Sequence, residues 1–517
     1  MATNKVIVTH AGALKTKYGS QGLSQIRAGL GAMVAADGER AITTRVVAID
    51  SARDMARFSK PTGTPATTRE AKAAIDAIYA REQPDYIMIL GAPDVIPLQS
   101  LSNPLYEPGG DDDDRSVPSD LPYACDAPYA RDPNRFVGPT RVVGRLPDIV
   151  GANDPAYLLK LVRMATRAVV RAPDQYQQHF GLSAQIWQAS SSLSLKNLFG
   201  SPAGMKTCPP SGPNWTAAQL APRTHFINCH GSQRDPAYYG QPKGGREEYP
   251  EAHLARWLPG KITAATVLAA ECCYGAELYN PQNTRGQAGI AYTYLGEGAY
   301  GIFGSTNIAY GPSSGNGSAD LICQYFLHAV MQGASLGRAA LEARQRFAQQ
   351  YSHLAPEDLK TIAQFYLLGD PSIQPVAIPA HALNRTRGFK RAFAKTHDAG
   401  PRALRRERLR RVGRALERDL PVTRPIARKG RSRAPKAVRA ALTSAARESG
   451  LKRYVEYHFA VTPKRGSALK NGKRRTIHML MSGGRNPRES RGIRRVMLLV
   501  ATAQNGKLVY IRRSHSR

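Results

Sequence analysis

The sequence has little cysteine, no long apolar run and, over its last quarter, almost no negative charge. Six cysteines among 517 residues (Cys125, Cys208, Cys229, Cys272, Cys273 and Cys323), with no Cys-x-x-Cys pair, exclude a disulfide scaffold of the small secreted kind. Reduced thiols are expected, so a functional cysteine would be a metal ligand or a nucleophile. No stretch reaches the roughly 18 apolar residues of a membrane-spanning helix, which excludes a transmembrane segment of that type. The opening MATNKVIVTH runs almost at once into a strand-like stretch, without the apolar core and small-residue cleavage site of an export signal. A cytoplasmic location is the expectation. With 42% hydrophobic and 21% charged residues, wholesale disorder is excluded as well.

The charge that is there is unevenly placed. The whole chain has 72 Lys and Arg against 39 Asp and Glu, a net of +33. Residues 381–517 hold 38 of the basic residues and only 7 of the acidic ones, leaving 34 and 32 in residues 1–380. A nearly neutral body therefore precedes an intensely basic extension.

In the body, short β-branched runs alternate with longer helical patterns, which predicts an α/β fold with a largely parallel sheet. Strands are expected at 6–10, 44–50, 85–91, 141–145, 185–190, 224–231, 265–272 and 299–306, and helices at 22–37, 68–82, 156–171, 317–333 and 335–351. Two α/β subdomains are expected, over 1–175 and 183–376. They are followed by a basic Arg/Pro/Ala-rich linker over 377–450 and a small basic β-rich module over 451–517. The module has four strand-like runs separated by Gly, Asn and Pro turns. Between the third and fourth strands, Asp111, Asp112, Asp113 and Asp114 form an acidic loop. It could bind calcium, although it lacks EF-hand spacing, and the plainer reading is a solvated loop.

Two segments carry chemistry: Cys229-His230-Gly231-Ser232 and Ala270-Glu271-Cys272-Cys273-Tyr274-Gly275. Each sits where an apolar strand gives way to a glycine-containing loop, and parallel sheets bind ligands at the carboxyl ends of their strands. A histidine at one strand end and a cysteine at the next can meet as base and thiol nucleophile. Cys272 as thiolate would attack a carbonyl and His230 would protonate the leaving amine. The backbone N–H groups of Gly231 and Cys272 could form an oxyanion hole. The competing readings are a buried structural cysteine with a satisfied core histidine, and a zinc site from Cys229, His230, Cys272 and Cys273. Adjacent residues on a strand face opposite ways, which opposes the zinc site.

The stretches KVIVTHAGAL, PDYIMILGAPDVIPL, PSDLPYAC, RVVGRLPDI, THFINCHGS, VLAAECCYGAELY, AYGIFGSTNIAY and FYLLGDPSIQP occur in this order over residues 1–376. Together they resemble the catalytic region of gingipain-type cysteine peptidases, which belong with caspases, legumains and metacaspases. The resemblance implies a caspase-like sheet flanked by helices and endopeptidase activity on protein or peptide substrates. It puts the family's His-Gly motif on His230-Gly231 and its Cys-x-x-Gly nucleophile on Cys272. The caspase spacing, Cys-x-Gly, would select Cys273 instead.

Glu271 stands where the family has a small residue, and would either raise the thiol pKa or line a pocket for basic side chains. Ser305 and Asn307 are further pocket candidates. Thr140 falls where some relatives carry a carboxylate that orients the histidine, so a Cys–His dyad is expected. Gly369-Asp370-Pro371 reads as a structural turn. The basic extension is an electrostatic footprint for nucleic acid or an acidic protein partner, with Tyr454, Tyr457, Phe459 and Tyr510 as stacking surfaces. The alternative to a peptidase is an inactive caspase-like scaffold whose basic module binds nucleic acid.

Overall fold

The protein is described by a computed structural model covering residues 3–108, 110–244, 248–378, 401–426, 434–451, 453–464, 475–484, 493 and 495–517. Its centre is one ten-stranded sheet. In spatial order the strands are Ile42–Ala48, Thr3–Thr9, Tyr86–Leu90, Val143–Leu146, Tyr366–Gly369, Gly301–Gly304, Val267–Ala270, Thr224–Asn228, His179–Ala184 and Lys206–Cys208. Pairing is parallel within each half, and the halves run in opposite directions because Tyr366–Gly369 pairs parallel to Val143–Leu146 but antiparallel to Gly301–Gly304. The two expected subdomains thus share a single sheet. Strands such as YIMIL (86–90) and VLAA (267–270) are apolar almost throughout because helices cover both faces.

The sequence places a strand at 185–190, but the strand there is His179–Ala184, and Gln185–Trp187 is a 3-10 turn leading into a helix, Gln188–Phe199. That turn buries Trp187. Two strongly polar groups anchor the interior. Asp370, in the Gly-Asp-Pro turn, holds the buried Lys5 ammonium together with Asp37, and the Arg145 guanidinium pairs with Asp120 at 2.6 Å. Buried charges persist only when paired in this way.

The basic extension is ordered well before residue 451. A helix, Pro401–Asp419, lies on the N-terminal half, with Arg406 on Asp85 at 3.0 Å and Arg410 on the Tyr79 hydroxyl. A strand, Val422–Pro425, and a helix, Lys436–Glu448, belong to the terminal module; residues 379–400 and 427–433 of the expected linker lie outside the described residues. The module is an antiparallel six-stranded sheet, ordered Tyr310–Gly311, Lys507–Ser516, Arg495–Gln504, Arg475–Gly484, Val455–Thr462 and Val422–Pro425. Its first strand comes from the body. One face, with Leu480, Leu499 and Ala501, takes Val438 and Leu442 of the helix. The other, with Tyr457, Phe459, Ile477, Met479 and Leu498, packs on Leu105, Ile308 and Ala355 of the body. Tyr457 and Phe459 are therefore buried against the body and are not stacking surfaces, whereas Tyr510 is exposed.

Behind the sheet, the Tyr294 hydroxyl lies 2.9 Å from His225 Nδ1 and 3.0 Å from His253 Nε2. Burial lowers the two imidazoles to about 4 and about 3. An unfolded chain takes up a proton at each near pH 6.5, whereas the folded one does not, so the contribution is complete above that pH and is lost as pH falls. By pH 5 the loss reaches about 2 kcal/mol per histidine. We expect His253→Gln to flatten the dependence of unfolding free energy on pH between 6.5 and 5 by close to one proton, measured by urea titration against wild type.

Candidate active site

The strand Thr224–Asn228 pairs in parallel with Val267–Ala270, Ile227 opposite Ala270, so both chains leave the sheet at one level. His230 and Gly231 follow the first, and Glu271, Cys272 and Cys273 follow the second. The two loops approach so closely that a Cβ on Gly231 would overlap the Cys273 carbonyl oxygen. The cysteine loop turns back at Tyr274, which has a φ of 53°, and Gly275 N–H donates to the Cys272 carbonyl at 3.0 Å. Ser305 and Asn307 brace these turns. The Ser305 hydroxyl donates to the Cys272 carbonyl at 2.7 Å, and Asn307 donates to the Ser116 carbonyl at 3.2 Å.

His230 is buried beside Trp187, with ring centroids 4.3 Å apart, and meets the edge of Tyr249. Its Nε2 lies 2.8 Å from Gln241 Oε1, and its buried Nδ1 has no hydrogen-bond partner among the described residues. An amide oxygen accepts only, so Nε2 carries the proton and Nδ1 presents a lone pair. Burial pushes the imidazole down to about 3, with Gln241 opposing and the charges of Arg517 and Arg495 and the His515 ring adding. Thr140 bonds Asp126, so the group that orients His230 is a neutral amide.

The adjacent thiols face different surroundings. Cys272 belongs to the main core, close to Cys229, Tyr238, Tyr294 and Cys323, and burial raises it well above the ordinary thiol range. Cys273 packs with Ile308 and Tyr310 on the module side. Its Sγ accepts from Ala309 N–H at 3.3 Å. Burial pushes Cys273 up to about 12, opposed by the N–H of Ala309, the charge of Lys360 and the N–H of Arg517.

Arg517 fills the space between these loops. Its N–H donates to the Ala309 carbonyl at 2.9 Å, and its carbonyl oxygen accepts from Cys273 N–H at 3.2 Å and Gly231 N–H at 3.5 Å. The guanidinium is fully buried: Nη2 is 3.0 Å and 3.1 Å from the two Asp320 oxygens and 2.8 Å from the Pro312 carbonyl. The guanidinium carbon stands 4.4 Å from the Trp187 ring centroid, a cation–π arrangement. Asp320 lies in the first turn of the helix Ser318–Met331 and also accepts from the Ser190 hydroxyl. Glu271 is buried beside Asp320 and Arg517. Burial first and then Asp320 raise its carboxyl well above the usual range, so it keeps a proton to higher pH than an ordinary glutamate. A Cβ on Gly311 would collide with the guanidinium.

Sequence reasoning therefore singled out His230, Gly231, Glu271 and both thiols, which the structure brings together around Arg517. It missed Trp187, Gln241, Gly311, Asp320 and Arg517. The one available signal was Asp320, an acid in the otherwise apolar run that opens a helix. The acidic loop is not solvated throughout. Asp112 and Asp114 hold the buried Lys360 ammonium at 2.6 Å and 3.1 Å, and Asp114 also accepts from Tyr274. Among the described residues no group of three acidic, histidine or cysteine side chains is placed to hold a metal ion.

Residues 229–376 match the model of peptidase family C25, a match that implies cysteine-peptidase activity. No curated protein matches the chain. Ten solved chains do, among them one described as the structure of a protease, at 12% identity with a TM-score of 0.47, covering 99% of this chain and 96% of that one. No helix among the described residues is long and apolar enough to cross a membrane.

The close approach at Gly231 gives a test of this geometry that does not depend on activity. Gly231→Ala forces backbone apart and is expected to cost about 2–3 kcal/mol, as overpacking of a tight site does. Gly31→Ala, within a helix and with open space around it, should be neutral or stabilise by up to about 1 kcal/mol. Denaturant unfolding of both variants measures the contrast.

Proposed function

We propose that the chain is a cysteine endopeptidase in which Cys273 is the nucleophile, His230 its base, and the N–H groups of Gly231 and Cys273 the oxyanion donors. The motif spacing points to Cys272 in both roles, and the backbone geometry around Arg517 favours Cys273, the alternative thiol. The observation that carries the reading is the Arg517 carbonyl, which accepts from those two N–H groups while its own N–H bonds Ala309. A residue preceding a scissile bond would be held in the same manner. The position of the Cys272 thiol, inside the core with Cys229 and Cys323, argues against its meeting a substrate.

The reaction follows from these atoms. His230 Nδ1 takes the Cys273 proton as sulfur bonds to the substrate carbonyl carbon, and the carbonyl electrons move to oxygen between the two N–H donors. Each such donor is worth roughly 10²–10³ in rate. Collapse breaks the C–N bond, and His230 returns the proton to the departing amine. Water, deprotonated by His230, then attacks the thioester; sulfur leaves and is reprotonated. With the thiol up at about 12 and the imidazole down at about 3 in the filled cleft, both start neutral, so the proton moves as the S–C bond forms.

Two experiments test the reading. Fluorogenic peptides varied at the residue before the cleaved amide are offered to the full chain and to Arg517→Glu. Cys273→Ala and His230→Ala should lower turnover by about 10³-fold or more, and Cys272→Ala by less than about tenfold. Absence of turnover in both backgrounds, or loss with Cys272→Ala alone, overturns the assignment. In the second, Gly311→Ala should raise KM for arginyl peptides at least about tenfold while sparing alanyl ones, because the added methyl occupies the guanidinium's place.

A further inference from the structure

We propose that residues 507–517 are a tethered ligand of the cleft, an extended strand that occupies the peptide-binding site in cis and must leave before another peptide enters. The inference deepens the reading above and shares its cleft, but it rests on binding geometry rather than on turnover.

The strand binds as a peptide would. Ser516 pairs antiparallel with Tyr310 and His515 with Gly311, extending the two-residue edge Tyr310–Gly311 by β-addition. Main-chain bonds of this kind supply affinity for any extended segment. Selectivity comes from the one long side chain of the segment that is fully buried. Arg517 has Asp320, the Pro312 carbonyl and the Trp187 face around its guanidinium, and Gly311 is the residue type that leaves room for it. The pocket is not yet saturated by these contacts. Arg517 Nε and Nη1 have no hydrogen-bond partner among the described residues, and the Glu271 carboxyl lies in the same pocket beside Asp320.

The remainder of the module keeps the segment in place. Lys507–Ser516 is laddered along Arg495–Gln504, and Arg512 forms ion pairs with Glu357 and Asp358 of the body. The sheet face carrying Tyr457, Phe459 and Met479 is buried on the same body. A segment held beside its site in this manner acts at an effective concentration on the order of 1 mM. If the free segment bound with a Kd of about 10 μM, the cleft would stand open roughly 1% of the time. Competing peptides would have to overcome that ratio, and whatever lifts the module off Leu105, Ile308 and Ala355 would release the cleft.

The test uses the full chain carrying Cys273→Ala, so that no cleavage intervenes. A fluorescent peptide Arg-Arg-Ser-His-Ser-Arg, the sequence of residues 512–517, is titrated by anisotropy. The expected result is little binding to the Cys273→Ala chain, at least about 30-fold tighter binding once Arg517→Glu is added, and loss of that gain on further addition of Asp320→Asn. Equal binding with and without Arg517→Glu overturns the proposal, as does no binding to a folded Arg517→Glu chain. Amide hydrogen exchange of the Arg517-intact chain gives a second reading that needs no disruptive variant. The Arg517 and Cys273 N–H groups should exchange at least about 100-fold more slowly than exposed amides, and rapid exchange at both overturns the occupancy. If the peptide exchange behaves as expected but no substrate is ever turned over, the peptidase reading fails and the tethered ligand stands.

Discussion

The parallel pairing of Thr224–Asn228 with Val267–Ala270 is the constraint on which the site depends. It delivers two loops to one level of the sheet and leaves them no room to be anything but close, which is why Gly231 has no space for a Cβ. It also leads into the turn that sets the two thiols in different surroundings. Beyond Ala270 the chain leaves the strand, with Cys272 at a bend and Cys273 in a turn, and the two sulfurs part there. Motif spacing leaves the choice of thiol open, because Gly275 follows one cysteine by three residues and the other by two. Their surroundings differ, Cys272 lying among Cys229 and Cys323 and Cys273 beside Ala309 and Arg517.

The charge of the extension is used differently from the way its sum suggests. A net +31 over residues 381–517 reads as a surface for polyanions. In the fold, part of it is spent inside the molecule: Arg406 on Asp85, Arg512 on Glu357 and Asp358, and Arg517 on Asp320. Exposed pairs such as the first add little, commonly below about 1 kcal/mol. The buried ones matter through what their loss would leave behind, since an unpaired carboxylate in the interior costs about 3–5 kcal/mol. Their number is small, but they sit where the module touches the cleft and fix its docking position.

Much of the body was legible in the sequence because its signals are local. Apolar runs of strand length, glycine after each of the two chemical strands, and helical periodicity between them are properties of a few neighbouring residues. His230, Gly231 and the Cys-Cys pair could be found for the same reason. What could not be read depends on contacts remote in sequence. Gln241 acquires meaning only when Ala237–Tyr239 folds back on His230-Gly231, and Asp320 only when the start of its helix is carried to the cleft. Trp187 lies in a short run read as a strand at 185–190, and nothing local in its adjacent Ile186 and Trp187 marks the 3-10 turn that buries the indole. Arg517, one of 72 basic residues, carries no local mark at all.

Occupancy and protonation of the site are linked through the same atoms. Arg517 and the residues behind it help bury Cys273 and His230, and burial is the leading cause of the high thiol and low imidazole pKa values. The charges of Arg517 and Arg495 and the His515 ring face His230 from the module, while Trp187, Tyr249 and Gln241 close its other sides without adding charge. Linkage is reciprocal: a ligand that disfavours a protonated imidazole is itself disfavoured when that imidazole is protonated. The filled cleft thus favours a neutral thiol and a neutral imidazole. Departure of the terminal strand would remove the Arg517 charge that disfavours a protonated His230 together with the Arg517 N–H that favours the Cys273 thiolate, so emptying the cleft eases protonation of the imidazole and withdraws one support of the thiolate.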